Sequence, residues 1–413
     1  MPEISHNMPV TERKFRLIAA AMTSWARGTL NGSARYIADF AGMNASAINY
    51  HFGSLEHLYF SAAEEACRRT GDWCRHVGDR IAAVPKLPPH ALGGLLATII
   101  DDWCVGQRPL ALAWRYAQLT AARDPALASL CASWQMTWDD FWQRIDGLTD
   151  MGDRAGLMGI FFDAESFQHL IDWDRIVDRA ALQELCELFA ARLTGARPPA
   201  AFWRSYAKSK VEPVSVPALD GKAGDIARAA LATLGREGSA GLTHRAVAAR
   251  ANVSVGAVSH HFKTAADLLN AAYLALVSLR TAQGKLLFDQ DRPLTRGDYI
   301  PILVEFATSD RLDEESRAID ELRLMSGGNP VLLPIAQRMR YERGYSSQSF
   351  LTRAPEFAGK ITALDGALLS TWIQGFRRSG PSLAVGQRRA RAQDAISRYF
   401  DLLATAPLAQ PAL

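Results

Sequence analysis

The sequence predicts an all-α protein built as two tandem halves, and three features of the chain point there. Across its 413 residues, apolar side chains recur at spacings of three and four, and alternation of apolar and polar residues is nowhere sustained. The stretch Ala41-Gly-Met-Asn-Ala-Ser-Ala-Ile-Asn-Tyr-His-Phe52 is answered 210 residues later by Ala251-Asn-Val-Ser-Val-Gly-Ala-Val-Ser-His-His-Phe262. Between the copies, Lys208-Ser-Lys-Val-Glu-Pro-Val-Ser-Val-Pro217 has spaced prolines and no helical period, as a linker does. The expected halves are residues 1–205 and 218–413, joined by a linker at 206–217.

In the first half, Ile18, Ala21, Met22 and Trp25 mark the buried stripe of an opening helix that stops at Gly28. In the second, Ile226, Ala230 and Leu234 do the same up to Gly238. Ser33 and Thr243 then stand where an N-cap hydroxyl is wanted, ahead of short helices reaching about Ala41 and Ala251. Asn44 and Ser254 are expected to cap the next pair, which run to Phe52 and Phe262. Helices of two turns do not stand alone in water. Ile37, Ala41, Met43, Ile48 and Phe52 are expected to hold the first pair, and Val247, Ala251, Val253, Val258 and Phe262 the second. One face of each short helix is left free and mostly polar. Three helices with a tight turn between the last two make a helix-turn-helix, at about 10–55 and again at about 219–265.

Longer helices fill the bodies, 56–205 and 266–413. Leu127, Cys131, Trp134, Trp138, Phe141 and Ile145 form one heptad-like stripe. Near the end of each half, Asp163-Ala-Glu-Ser-Phe-Gln-His-Leu-Ile171 parallels Asp365-Gly-Ala-Leu-Leu-Ser-Thr-Trp-Ile373. A last helix follows each, around Leu182–Leu193 and Ala392–Leu403.

Composition bounds the function. With 48% hydrophobic and 22% charged residues the chain is globular, and its length suits two domains. A net charge of only +3 excludes a polybasic coat on nucleic acid, so any DNA contact must come from local geometry. The five cysteines, Cys67, Cys74, Cys104, Cys131 and Cys186, are odd in number and include no CxxC pair. They suggest neither a zinc cage nor a disulfide framework. Cys67 and Cys74 share a helix face as small apolar residues. Met1–Lys14 lacks the apolar core of a signal peptide, and apolar runs such as Ala91–Ile100 are about half of what a bilayer needs. A cytoplasmic protein without membrane contact is expected. No GxSxG, Walker loop or HExxH occurs, so neither an enzyme nor a bound cofactor or metal is expected.

The paired motifs resemble the TetR family of bacterial transcriptional regulators, twice over. The resemblance rests on Val253-Ser-Val-Gly-Ala-Val-Ser-His-His-Phe262 preceded by Thr243-His-Arg-Ala-Val-Ala-Ala-Arg250. It rests also on Ser33-Ala-Arg-Tyr-Ile-Ala38 with Asn49-Tyr-His-Phe-Gly-Ser54. It implies a three-helix DNA-binding unit ahead of a helical body enclosing a small-molecule pocket, with the last two helices forming a four-helix dimer bundle. It further implies a homodimer on a palindrome, acting as a repressor released by ligand. Two halves in one chain depart from that plan and imply a built-in pseudo-dimer, monomeric or weakly dimeric as a particle. The partner is then a double-stranded operator. The alternative is a ligand-sensing helical co-regulator that has lost DNA binding and acts through protein contacts.

A recognition helix puts its N-terminal residues against base edges in the major groove. By position these are Ala45, Ser46, Asn49 and Tyr50 in the first half, and Val255, Gly256, Ser259 and His260 in the second. Asn49 can pair bidentately with adenine, and Ala45 or Val255 can touch a thymine methyl. His51 and His261 match the family's backbone-contact position. Ser33, Asn44, Thr243 and Ser254 lie at helix starts that offer further donors to phosphate. Lys263, with Arg13, Lys14 and Arg16, supplies charge. The phosphate-binding lysine that the family often carries three residues after the His-Phe is replaced here by Leu55 and Ala265. Because Asn49-Tyr50 and Ser259-His260 differ, the operator is expected to be an imperfect palindrome.

Nine of the ten tryptophans precede residue 205. Trp103, Trp114, Trp134, Trp138 and Phe167 fall where the family keeps its pocket, with Arg115, Gln118 and His169 as polar anchors. They are expected either to line a cavity for an apolar or aromatic effector or simply to pack a core. The second half has fewer large rings there (Tyr299, Phe306, Tyr341, Tyr345), so equal binding by both halves is not expected.

Overall fold

A computed structural model describes residues 9–29, 32–84, 87–148, 156–211, 220–288, 293–310, 313–327, 332–379 and 385–408. Every regular element among the described residues is helical. The first half opens with α1 (Val10–Ala26), α2 (Ala34–Ala41), α3 (Ser46–Phe52) and α4 (Leu55–Ala82). Next come α5 (Leu92–Asp101), a π-turn (Asp102–Gly106), α6 (Arg108–Ala121), α7 (Pro125–Asp146), α8 (Leu157–His169), α9 (Arg175–Thr194) and α10 (Phe202–Ser209). The second half begins with α11 (Gly221–Gly241), α12 (His244–Ala251), α13 (Val255–His261), α14 (Ala265–Phe288) and α15 (Arg296–Thr308). It ends with α16 (Asp313–Gly327), α17 (Leu333–Tyr341), α18 (Tyr345–Thr352), α19 (Ala363–Ser379) and α20 (Val385–Ala404).

These helices form two compact units. One comprises Met1–Ala83 with Asp102–Phe141, the other Val84–Asp101 with Trp142–Leu413. The division does not follow the expected boundary at 206–217, because α8 and α9 pack on helices of the second half, α19 and α20, and α5 packs on α8 and α9. Self-similarity along a sequence reports the order of elements. Which apolar faces bury one another is a separate matter.

In the first unit, α1 buries Leu17, Ala20, Ala21, Met22 and Trp25. Ile18, expected in that stripe, is only half-buried, since the buried face is centred one residue earlier. Trp25 stacks on Tyr116 of α6 and Tyr59 of α4, with ring centroids 4.7 and 5.6 Å away, which fixes α1 to the body. Tyr59 Oη donates to the backbone oxygen of Gly32 at 2.9 Å, anchoring the chain just before α2. Five of the six stripe residues of α7 are buried, and Cys131 is half-buried. Cys74 is buried and Cys67 half-buried; burial pushes the Cys67 thiol up to about 11.

In the second unit, α11 packs on α14 and α16 around a core that includes Ile226, Ala230, Leu234, Val247, Val258, Leu268, Leu322 and Met339. The expected stop of α11 at Gly238 is a break in its backbone, with φ 76° and ψ −177°. The parallel segments Asp163–Ile171 and Asp365–Ile373 fall on the end of α8 with its C-terminal turn and on α19, and these two helices pack directly on each other. At Gly375 the approach is so close that a Cβ would stand 2.6 Å from the carbonyl oxygen of Ile160. Only glycine permits that distance. Gln168 Nε2 donates to Gln374 Oε1 at 3.2 Å across the same pair of helices.

The linker reading needs one correction. Residues 206–209 belong to α10, whose first backbone amides, those of Trp203 and Arg204, donate to Glu184 at 2.6 and 2.9 Å. A carboxylate placed on exposed N-terminal amides stabilises a helix start, so this segment folds against α9. The remaining linker positions 212–217 lie outside the described residues. No described helix is long and apolar enough to cross a membrane.

Candidate nucleic-acid interface

Each helix-turn-helix is assembled from capping and burial. Ser33 Oγ accepts from the amide of Tyr36 at 3.2 Å, and Thr243 Oγ1 from that of Ala246 at 3.1 Å, so both expected N-caps of α2 and α12 are formed. Both helices then end in the left-handed region, at Gly42 with φ 65° and at Asn252 with φ 54°. Asn252 is the sole non-glycine residue with positive φ among the described residues. Glycine and asparagine are the residues that tolerate this turn best. The turn leads into α3 and α13, each held through one wholly buried residue, Ile48 and Val258. Ile37, Ala41 and Val247 are buried as expected, whereas Met43, Phe52, Ala251, Val253 and Phe262 are half-buried. Helices this short bury only their central contacts fully and leave the supporting side chains at their ends partly in solvent.

The two recognition helices start differently. Ser254 Oγ accepts from the Ala257 amide at 3.1 Å and caps α13. Asn44 does not cap α3. That helix begins after Ala45, itself in a helical conformation, and receives no side-chain cap. Asn44 contributes its backbone oxygen to the amide of Ala47 at 2.9 Å, leaving its exposed side chain outside the cap.

The outward faces are polar and small, as expected. On the first, Asn44, Ser46, Asn49 and Tyr50 are exposed, Tyr50 by 79%, and Ala45 and His51 are half-buried. On the second, Ser254, Val255, Gly256, Ser259, His260, His261 and Lys263 are all exposed. Among the described residues nothing requires a glycine at 256, where the atom found near an added Cβ is Ser254 Oγ at 3.9 Å. His51 stands among the cations of α1. Burial, then Arg13 and Lys14, pushes its pKa below the ordinary value. Lys14 Nζ lies 5.9 Å from the Phe52 ring. Arg16 leans on Glu12 at 3.4 Å across an exposed turn, a pairing that holds it loosely.

One residue in this region was invisible to the sequence reading. His244 Nε2 lies 2.7 Å from the carbonyl oxygen of Phe262 and donates to it, tying the start of α12 to the end of α13. The partners are 18 residues apart, so no helical or strand period connects them. Arg250 is likewise structural, bonded to Thr233 and Glu237 of α11 at 2.9 and 2.8 Å. At the starts of α4 and α14, where the family's lysine is missing, Ser54 caps His57, and Thr264 and Asp267 cap each other.

The eight candidate effector residues divide between the two units. Trp103, Trp114, Arg115, Gln118, Trp134 and Trp138 belong to the first. There Trp103, Trp138, Trp73 and Phe141 form one aromatic cluster, with Trp103 and Trp138 rings 4.9 Å apart. Trp114 and Trp134 pair at 5.1 Å. Arg115 Nη1 donates to Gln118 Oε1 at 2.7 Å. Asp102, at the start of the π-turn, accepts from Trp73 Nε1 at 2.8 Å. The indole N–H groups of Trp103 and Trp134 are buried and meet no acceptor among the described residues.

Phe167 and His169 belong to the second unit, with other partners. The Phe167 ring lies 4.6 Å from the guanidinium of Arg378 and 5.9 Å from that of Arg323. His169 is bonded to Asp101 at 2.7 Å and to Arg340 at 2.8 Å, so both ring nitrogens are taken.

Comparison with known proteins finds a family match at the second helix-turn-helix. Residues 226–272 match the family described as bacterial regulatory proteins, tetR family. The chain is 43% identical over 88 residues to the HTH-type transcriptional dual regulator CecR of Shigella flexneri. That match covers 21% of this chain and 40% of the relative's length. Among solved structures, one from Mesorhizobium loti assigned to the TetR family of transcriptional regulators aligns at a TM-score of 0.37 and 16% identity, over 45% of this chain and 97% of the other.

Proposed function

We propose that this chain is a TetR-type transcriptional regulator that binds a double-stranded operator through α3 and α13 together. The observation that carries this is the outward face of α13. Seven residues from Ser254 to Lys263 are exposed there, inside the segment that matches the tetR family and on a helix capped and clamped at both ends. Small residues at 255, 256 and 259 let the backbone come close to bases, while His261 and Lys263 stand where phosphate passes. The face of α3 repeats the arrangement with Asn49 as base reader and His51, Arg13 and Lys14 as backbone donors.

The tandem reading, in which the two halves act as one pseudo-dimer, is supported by the packing of α8 on α19, the segments that the two halves have in common. It implies recognition helices about 34–36 Å apart, in successive major grooves on one face of the duplex. The second half being unlike the first, the operator is an imperfect palindrome bound by one chain. We infer a repressor role with release by an effector in the first half, apolar or aromatic in its bulk and carrying an acceptor for the buried indole N–H groups of Trp103 and Trp134. Each unmatched N–H costs about 1–3 kcal/mol, which an acceptor on a bound ligand removes.

The test is a gel shift on the DNA upstream of the protein's own coding sequence, with the intact chain and with the double variant Ser259→Ala, His261→Ala. One chain per site and loss of the shift in the variant are expected. A variant that folds and shifts the DNA unchanged refutes a DNA-binding role for α13. Absence of any shift with the intact chain favours a co-regulator acting through protein contacts.

A further inference from the structure

We propose that the face between α8–α10 of the first half and α17–α20 of the second is a charge-coded lock that accepts only the unlike half. Like halves are rejected, whether they come from this chain, from a second copy or from a related protein of one half only. The inference rests on the geometry of these helices and stands or falls separately from DNA binding.

The ionic contacts across this face are buried and run largely in one direction. Arg343 meets Glu165 at 2.5 Å, with side chains 4% and 3% exposed. Arg340 lies 3.3 Å from Asp178, equally buried, and Tyr341 donates its hydroxyl to the same carboxylate. In both cases the acid belongs to the first half and the base to the second. Among the described residues one ion pair runs the other way: Arg192 holds Asp365 through two bonds of 2.9 and 2.7 Å, with a third to the carbonyl oxygen of Lys360. Arg204 of α10 completes the set, donating to the carbonyl oxygens of Arg340, Tyr341 and Arg343.

A two-fold dimer makes every such contact twice. Here each is made once. Under the parallel of Asp163–Ile171 with Asp365–Ile373, Glu165 corresponds to Ala367 and His169 to Thr371. Under the parallel of the last helices, Arg192 corresponds to Leu402. Two second halves facing each other would set Asp365 against Leu402, and Arg340 and Arg343 against Ala367 and Thr371. Two first halves would bring together Glu165 and Asp178 without Arg343 and Arg340. A buried ion without its partner is strongly destabilising, so only the unlike pairing folds. Covalent linkage then makes the half on the same chain the favoured occupant through its high effective concentration.

The test uses two full-length variants, Glu165→Arg and Arg343→Glu. Each places like charges in the buried site and is expected to lower the melting temperature by about 10 °C, by the scale of a broken buried pair. Carrying both changes in one chain should restore most of that loss and return a one-chain particle on native mass spectrometry. Co-expressing the two single variants should give a particle of two chains, because each acid then finds its base on the other chain. Arg192→Leu, which removes the cation beside buried Asp365 and copies the residue at the equivalent place in the second half, should also destabilise. Single variants that melt with the parent, or co-expressed variants that fail to associate, overturn the proposal. So does an Arg192→Leu chain as stable as the parent.

Discussion

His169 of α8 accepts a hydrogen bond at Nδ1 from Arg340 of α17, 2.8 Å away, while its Nε2 lies 2.7 Å from Asp101 of α5. An arginine can only donate, so Nδ1 carries no proton and Nε2–H donates to the carboxylate. The imidazole is therefore neutral, in one tautomer, between a cation and an anion. Burial, aided by Arg340, pushes its pKa below the ordinary value despite the pull of Asp101. Replacing it with phenylalanine keeps the volume and removes both bonds, each to a charged group. A loss of about 1.5–3 kcal/mol per bond follows, read by urea denaturation.

Asp101 also takes Arg175 at 2.7 and 2.6 Å. Burial alone would raise its pKa, but the bonds from His169 and Arg175 hold it well below the usual carboxylate range. A folded pKa below the unfolded value of about 3.9 means stability that is present above that value and lost as pH falls toward the folded one. Acid denaturation of the Asp101→Asn variant is expected to show a shallower dependence below about pH 4 than the parent, alongside a lower stability at neutral pH.

The unequal caps of the recognition helices separate stability from binding. Ser254→Ala removes the cap of α13 and should cost about 1 kcal/mol in thermal or chemical unfolding. Asn44→Ala removes a side chain that caps nothing and should leave unfolding unchanged. Should Asn44→Ala destabilise as much as Ser254→Ala, the uncapped start of α3 is wrong.

Gly256 is free of steric need within the protein. Alanine there has room, and an alanine in a helix is favoured over glycine by up to about 1 kcal/mol. The Gly256→Ala protein is expected to melt at or above the parent's temperature and to bind operator more weakly, because the added methyl stands between backbone and base. Equal or tighter binding would show that the backbone of α13 does not approach DNA here.

The pKa of His51 lies below its ordinary value, so in the proposed interface its part near pH 7.5 is that of a neutral hydrogen-bond donor. Glutamine keeps a neutral donor and alanine does not. Fluorescence anisotropy near pH 7.5 should find His51→Gln close to the parent and His51→Ala weaker on all sequences alike. Asn49→Ala, a change at the proposed base reader, should instead cost about 1–3 kcal/mol and relax preference in one half-site only.

What the sequence by itself determined is the local part: the all-helical class, the order of elements, and the pairs of short helices α2–α3 and α12–α13. Their signals are short-range, since Ser33, Thr243 and Ser254 cap amides three residues on, and Ile48 and Val258 recur at helical spacing from their neighbours. Asn44 is a cap residue by type, yet the choice between it and Ala45 depended on backbone angles that composition does not set. Tertiary structure alone decided what is joined over long separations. His244 with Phe262, Arg192 with Asp365 and Arg340 with His169 have no periodic signature, because a buried arginine takes whichever carboxylate or carbonyl the packing brings within reach. The grouping of α5, α8 and α9 with the second half is of the same kind. It is set by complementary burial of faces and charges, a property of surfaces that exist only once the helices have formed.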